Sequence, residues 1–263
     1  GSDGTATVTV AGTDLAGNAY SGTTNLVFTI DNTAPSAPVV NNQTTNNITP
    51  TITGTAEANS IVTVSVNGST YTTTANSSGN WSITTTTLPS GTYSVTATAT
   101  DAAGNVSPVG TGSITVDNVA PTVVLTHSGS DLIVRDADTE TITATFSESM
   151  TATPTITITL SNGTSITAAA LSGSGTTWTY VWDVPAGSDG TATVTVAGTD
   201  LAGNAYSGTT NLVFTIDNTA PSAPVVNNQT TNNITPTITG TAEANSIVTV
   251  SVNGSTYTTT ANS

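Results

Sequence analysis

Acidic side chains recur at matching places along a chain that has few charges. Asp101 follows an alternating run in ATATDAAGNVS, and Asp117 follows the next such run in SITVDNVAP. The same two motifs return as GTDLAGN, which contains Asp200, and as FTIDNTAP, which contains Asp217. Carboxylate, amide and backbone oxygens are the ligands that Ca²⁺ prefers, at about 2.3–2.6 Å. Recurrent carboxylates with no His or Cys beside them therefore point to a calcium site.

The topology expected for each module brings these acids together. Strand direction alternates in an antiparallel sandwich, so the linker that enters a module, the loop after its second strand and its last loop share one end. We call this the incoming end. The expected ligands there are Asp31, Glu57, Asp101 and Asn105 in one module and Asp117, Glu148, Asp200 and Asn204 in the next.

The stretch RDADTET adds Asp136 and Asp138 to the candidate ligands, at the outgoing end that faces Asp217 in the next linker. Like charges crowded in this way repel each other unless a cation neutralises them or they are protonated. An EF-hand loop is absent from the sequence. A second interpretation stays open, because Asp and Asn are also turn formers that bond their own backbone.

An internal repeat defines the modules. Residues 1–77 recur unchanged as residues 187–263, and three DNTAP or DNVAP motifs divide the chain further. The predicted units are residues 1–30, the end of a type A module; 31–116, a type B module; 117–216, a type A module; and 217–263, the start of another type B module. Both ends fall inside a module, so we expect a segment of a longer repetitive protein.

Short alternating strands predict the fold of each module. Val62, Val64 and Val66 alternate with polar residues before the hairpin signal of Asn67 and Gly68. About seven such strands in about 90–100 residues are typical of an immunoglobulin-like sandwich. A parallel β-helix would instead repeat at roughly 20 residues, and the sequence shows no such period. We expect an all-β protein of tandem immunoglobulin-like β-sandwich domains, arranged end to end as an elongated rod.

Charge and composition exclude several functions. Sixteen acidic residues stand against Arg135 alone, which gives a net charge of −15 and disfavours binding to nucleic acid or anionic lipid. Cysteine is absent, so no disulfide braces the modules. No apolar run is long enough for membrane insertion.

Catalysis is not expected. His127 is the one histidine, predicted in a polar loop, and neither a nucleophile elbow nor a phosphate-binding glycine loop occurs. The main alternative is a carbohydrate-binding or filament-forming module of an extracellular matrix protein. Trp81, Trp178 and Trp182 fall in phase with core residues, so we expect at least two of them to be in the core. Their exposure separates the two functions, because a row of open rings would favour sugar binding.

Three stretches resemble a known family. ITGTAEANSIVTVSVNG, LPSGTYSVTATATDAAGNVS and ITVDNVAP are similar to the bacterial immunoglobulin-like repeats in the extender regions of giant biofilm-associated and RTX-type adhesins. The resemblance covers the whole chain and is closer for type B. Type A departs from it, with FSESM and no equivalent of Tyr93.

The resemblance implies an extracellular stalk on a bacterial surface that projects a distal binding region. Its partners would be the neighbouring modules of the same chain and, in a fibre or biofilm, other copies of itself. Calcium at the linkers stiffens such stalks, and by position Glu243 joins the acidic ligands at the site beside Asp217. That site is incomplete, because residues 217–263 do not include the last loop of their module.

Overall fold

Every regular element in the structure, a computed structural model that describes residues 3–20 and 24–263, is a β-strand. β-Branched Thr and Val favour the pleated backbone, which explains the all-β content. No helix in the described residues is long and apolar enough to cross a membrane.

The type B module is a sandwich of two sheets. Its strands are β3 (Val39–Val40), β4 (Gln43–Thr45), β5 (Thr51–Thr55), β6 (Ile61–Val66), β7 (Ser69–Thr74), β8 (Asn80–Thr84), β9 (Gly91–Thr100) and β10 (Gly110–Val116). One sheet has the order β4-β10-β9-β6-β7 and the other has the order β3-β5-β8. Before this module, β1 (Gly4–Val10) and β2 (Thr24–Ile30) form an antiparallel pair.

The type A module has the same plan, with longer strands in one of its two sheets. They are β11 (Val123–His127), β12 (Ile133–Val134), β13 (Thr139–Phe146), β14 (Thr155–Leu160), β15 (Ser165–Ala170), β16 (Ser172–Ser174), β17 (Thr177–Asp183), β18 (Gly190–Ala197) and β19 (Leu212–Ile216). The sheet orders are β11-β13-β17-β16 and β12-β19-β18-β14-β15. The tandem immunoglobulin-like sandwich predicted from the sequence is therefore confirmed.

The last segment contains two separate strand pairs. They are formed by β20 (Val225–Val226) with β21 (Gly240–Thr241) and by β22 (Ile247–Val252) with β23 (Ser255–Thr260).

Each complete module has its own hydrophobic core. The type B core runs from Val40 to Val116 in sequence and the type A core from Val123 to Ile216, with no residue in common. Alternation along the strands supplies these cores, since Val62, Val64 and Val66 are buried while their neighbours in β6 are more exposed. Folding of each sandwich therefore depends on its own buried apolar area.

The three tryptophans are core residues. Trp81, Trp178 and Trp182 are 3%, 7% and 1% exposed. The phase of their strands predicted this burial for at least two of them. They form no open aromatic platform.

His127 does not lie in a polar loop, so that prediction was wrong. It ends β11, where its ring packs edge-on against Phe214 with centroids 5.2 Å apart. Its Nδ1 lies 3.2 Å from Oε2 of the buried Glu140. The strand continues to His127 because β11 pairs with β13 up to that residue.

Short parallel strand pairs fix where each linker leaves its module. β4 runs parallel to β10, and the carbonyl of Thr45 accepts a 2.9 Å hydrogen bond from the amide of Asp117. β12 runs parallel to β19, and the carbonyl of Val134 accepts the equivalent 2.9 Å bond from Asp217. The first residue of each linker is thus tied to the module that precedes it.

Candidate metal centre at the junction of the two complete modules

Three carboxylates meet where the type B module joins the type A module. Asp117, Glu148 and Asp200 each offer an oxygen within 4.8 Å of the others. Asp117 follows β10, Glu148 follows β13 and Asp200 follows β18, so antiparallel strands bring them to one end from distant parts of the sequence. Asp200 is fully buried and the other two are half-buried.

The buried carboxylate of Asp200 organises the last loop of the module. Its Oδ1 accepts 2.8 Å hydrogen bonds from the amides of Ala202, Gly203 and Asn204. Its Oδ2 accepts a 2.7 Å bond from Nδ2 of Asn204. A carboxylate has about four acceptor positions, and Oδ2 uses one of its two here. Asp200 is thus a turn former that retains capacity to bind a cation.

The linker and the last loop are joined directly. Nδ2 of Asn204 also donates a 2.8 Å hydrogen bond to the backbone carbonyl of Asp117. Oδ1 of Asp117 accepts a 3.0 Å bond from the amide of Val119, which closes a turn in the linker. The loop that contains Asp200 is therefore held against the start of its own module.

Glu148 experiences the repulsion expected of a crowded acidic site. Burial raises the pKa of its carboxyl, and the negative charges of Asp200 and Asp117 raise it further, as does a hydrogen bond with Asp117. All of these causes disfavour the ionised form. A divalent cation between the three carboxylates would reverse the effect.

The preceding module reaches this junction through one loop. The amide of Asn46, just after β4, donates a 2.8 Å hydrogen bond to the carbonyl of Ala202. Gly203 lies beside the Asn46 side chain, since a Cβ built on it would approach Nδ2 to 3.4 Å. The two complete modules are therefore in direct contact.

The incoming end of the type B module has the same hydrogen bonds but not the same acidic group. Oδ1 of Asp101 accepts 2.9 Å hydrogen bonds from the amides of Ala103 and Asn105. Nδ2 of Asn105 donates to Oδ2 of Asp101 and to the backbone carbonyl of Asp31. The side-chain bond from Asn105 is the main reason that the pKa of Asp101 is lowered. Within residues 3–20 and 24–263, Asp31, Glu57 and Asp101 do not form a three-carboxylate group.

A shift of one residue separates Glu57 from Glu148. Just beyond the last residue pair of β5 and β8, the amide of Ala56 donates a hydrogen bond to the carbonyl of Gly79. Just beyond the last residue pair of β13 and β17, the amide of Phe146 donates the equivalent bond to the carbonyl of Thr176. Ala56 and Phe146 therefore occupy equivalent positions. Glu57 therefore corresponds to Ser147, and not to Glu148 as predicted from the sequence. The assignment of Asp31, Glu57, Asp101 and Asn105 as ligands stays a prediction.

The outgoing end of the type A module lies against the next linker. The amide of Asp136 donates a 2.6 Å bond to Oδ1 of Asn218, and Oδ2 of Asp136 accepts a 2.9 Å bond from Gly187. Oδ2 of Asp138 accepts a 2.9 Å bond from the amide of Arg135. These carboxylates act as acceptors for backbone amides, and their role as ligands is likewise a prediction.

In the next module, Asp217 also forms a turn, with its Oδ1 2.9 Å from the amide of Thr219. Glu243 is exposed, and its carbonyl accepts a bond from Ser246. Both remain predicted ligands.

One carboxylate at the linker that begins at Asp217 was not predicted from the sequence. Oδ1 of Asp189 accepts bonds of 2.8 and 2.6 Å from the amide and Nδ2 of Asn218. Its repeat equivalent, Asp3, accepts a 2.7 Å bond from the amide of Asn32, and hydrogen bonds from Thr33 and Asn32 lower the pKa of Asp3. The only available signal was the repeated GSDG before each of these strands.

Residues 35–118 and 120–218 match the family described as bacterial Ig-like domain. The chain therefore belongs to the bacterial Ig-like domain family, with two copies in tandem. No curated protein matches the chain.

Solved structures provide more distant likenesses. A tetra-tandem repeat in the extending region of a large adhesion protein is 25% identical, with 99% of this chain and 71% of that chain covered and a TM-score of 0.35. Fibronectin(III)-like modules of Clostridium thermocellum CbhA are 20% identical, with coverage of 71% and 90% and a TM-score of 0.34. A chimeric titin Z1Z2 is 14% identical, with coverage of 70% and 96% and a TM-score of 0.34. The family assignment rests on the sequence match.

Proposed function

We propose that this chain is a structural extender segment of a bacterial cell-surface adhesin, and that calcium stiffens the junction between its type B and type A modules. The observation that carries the proposal is the convergence of Asp117, Glu148 and Asp200 at that junction. The segment would act as a spacer that projects a distal binding region, not as an enzyme.

Direct contacts between modules support the role of a spacer. The linker that begins at Asp117 is bonded to the preceding module through Thr45 and to the following module through Asn204. Asn46 adds a bond between the modules themselves. An extender must keep its modules in line, and linkers tied on both sides restrict bending. We therefore infer an elongated rod.

The donor set suits calcium. Glu148 and Asp117 are half-buried carboxylates, and Asp200 is held in place by four hydrogen bonds. Ca²⁺ prefers oxygen ligands and tolerates irregular geometry. When bound, the ion would neutralise the carboxylates that raise the pKa of Glu148 and would tie the linker, the loop after β13 and the last loop into one unit.

The family and the charge support a proposal about location and partners. Bacterial Ig-like repeats resembling this sequence belong to adhesin extenders, so we infer a secreted, surface-attached protein whose partners are neighbouring modules and other copies of itself in a fibre or biofilm. The strong negative charge is compatible with this location and disfavours binding to nucleic acid. Sugar binding through tryptophan is not favoured, because all three rings are buried.

Thermal unfolding in calcium and after chelation tests the proposal, together with the solution length from small-angle scattering. We expect chelation to lower the Tm of the type A transition and to shorten or broaden the distribution of lengths. Glu148→Gln should lose most of this response, whereas Glu57→Gln should keep it. If Tm and length are the same with and without calcium, the stiffening role of the metal is refuted.

A further inference from the structure

Each complete module ends in a loop that faces the next module, and hydrogen-bond register makes the two loops comparable. The carbonyl of Thr45 accepts a hydrogen bond from the amide of Asp117, and the carbonyl of Val134 accepts one from the amide of Asp217. The residue directly after this carbonyl is Asn46 in the type B module and Arg135 in the type A module. Asn46 and Arg135 thus occupy equivalent positions.

Asn46 shows what this position contacts. Its amide donates to the carbonyl of Ala202, and its side chain lies against Gly203, both in the last loop of the following module. The equivalent residue of a type A module should therefore face the last loop of the type B module that follows. In type B that loop is residues 101–105.

Arg135 has donors to offer at this position. The sequence contains no lysine and no other arginine, and the side chain of Arg135 is 77% exposed. Its contact with Oδ1 of Asp138 is loose, at 3.7 Å. The backbone amide of Arg135 is already hydrogen-bonded to Asp138, so it is not free to make the contact with the next module that the amide of Asn46 makes. Arg135 offers its long side chain instead. A guanidinium has five N–H donors in a planar fork.

The incoming end of a type B module offers acceptors of opposite charge. Asp31 and Glu57 are exposed there, and Asp101 lies in the last loop itself. These acids do not converge as Asp117, Glu148 and Asp200 do. In strand register Glu57 corresponds to Ser147, one position before Glu148. Separated carboxylates are poorly arranged to share one metal ion but suit a forked cation.

We propose that Arg135 closes the junction from a type A to a type B module by pairing with carboxylates at the incoming end of that type B module. The B-to-A junction would then be closed by a metal ion and the A-to-B junction by a side chain, so the two kinds of junction alternate along the chain. The contrast between the junctions rests on the proposed function, whereas the contact of Arg135 does not.

The test uses a longer chain in which residues 78–116 are repeated after Ser263, which completes the last type B module. Pulsed electron paramagnetic resonance measures distances between pairs of spin labels on introduced cysteines, since the chain has none of its own. Labels at the exposed Thr159 and Thr256 span the A-to-B junction, and labels at Thr70 and Thr159 span the B-to-A junction.

We expect Arg135→Gln to broaden the Thr159–Thr256 distance distribution about twofold, with calcium and with chelator alike, and Arg135→Lys to broaden it less. The Thr70–Thr159 distribution should not respond to either variant. Because Arg135 is exposed, the variants should keep the parent Tm.

Two results would overturn the proposal. One is an A-to-B distribution that Arg135→Gln leaves unchanged. The other is that chelation of calcium, without any substitution, broadens the Thr159–Thr256 distance distribution as much as Arg135→Gln does. Failure of the proposed function would be seen elsewhere, as a Thr70–Thr159 distribution that does not respond to chelation.

Discussion

The side-chain amide of Asn204 donates a 2.8 Å hydrogen bond to the backbone carbonyl of Asp117, 87 residues earlier in the chain. The same amide nitrogen bonds Oδ2 of Asp200 at 2.7 Å. One side chain thus connects the linker to the loop that contains the buried carboxylate. Asn105 repeats the arrangement with Asp31 and Asp101. The stability of a module and the direction of its linker are therefore coupled.

Asn204→Ala should destabilise the type A module by about 1–2 kcal/mol, because both bonds are lost and Asp200 keeps one unmatched oxygen in a buried site. Urea unfolding measures the change. The control is Asn162→Ala, which removes a local bond to Thr164 in an exposed turn and should cost roughly 0.5 kcal/mol or less. Equal losses in the two variants would contradict the bridging role of Asn204.

Glu148→Gln should have opposite effects with and without calcium. In chelator it removes one of three crowded negative charges, so the Tm should rise by roughly 1–4 °C. In calcium it removes a ligand, so the Tm should fall below that of the parent chain. Differential scanning calorimetry on both proteins checks the change of sign. A variant that is destabilised under both conditions would show that Glu148 acts through packing alone.

The pH dependence in chelator follows from the same residue. The pKa of Glu148 is raised in the folded protein, so folding favours its protonated form. That stability is fully present below the usual glutamate pKa of about 4.3 and is lost as pH rises through the folded pKa. The difference in Tm between Glu148→Gln and the parent should grow from pH 4 to pH 7. A difference that is constant over this range would exclude titration of Glu148 as its cause.

Separate cores predict separate responses to core mutations. Phe214 is fully buried in the type A core, and Phe214→Ala should cost about 3–5 kcal/mol. The transition of the type B module should move little, because the two cores have no residue in common. Calorimetry resolves the two transitions, with Ile52→Ala as the matched change in type B. A single transition that shifts as a whole in both variants would contradict independent folding.

Much of the fold was predictable because alternation along a strand is a local property. Val62, Val64 and Val66 identify an inward face without knowledge of the partner strand, and Trp182 could be assigned to the core by phase alone. His127 was misplaced because a histidine can end a strand as well as begin a loop. What buries it is a contact with Phe214, 87 residues away, which local sequence does not encode.

The candidate site was predictable only in part. The positions of Asp117 and Asp200 follow from motifs that recur at the ends of strands. Glu57 was matched to Glu148 because both were placed in the loop after the second strand of their module, and only strand register reveals the shift between them. Asp189 was missed because its partner, Asn218, lies beyond the end of the neighbouring strand, 29 residues later in the chain.

Calcium titration of this chain by isothermal calorimetry tests the central claim most directly. Parent protein, Glu148→Gln and Glu57→Gln would be compared after removal of metal. We predict that the parent chain and Glu57→Gln bind calcium at the junction of the two complete modules, and that Glu148→Gln loses this site. Absence of binding to the parent, or binding that Glu148→Gln leaves unchanged, would contradict a calcium ion held by Asp117, Glu148 and Asp200.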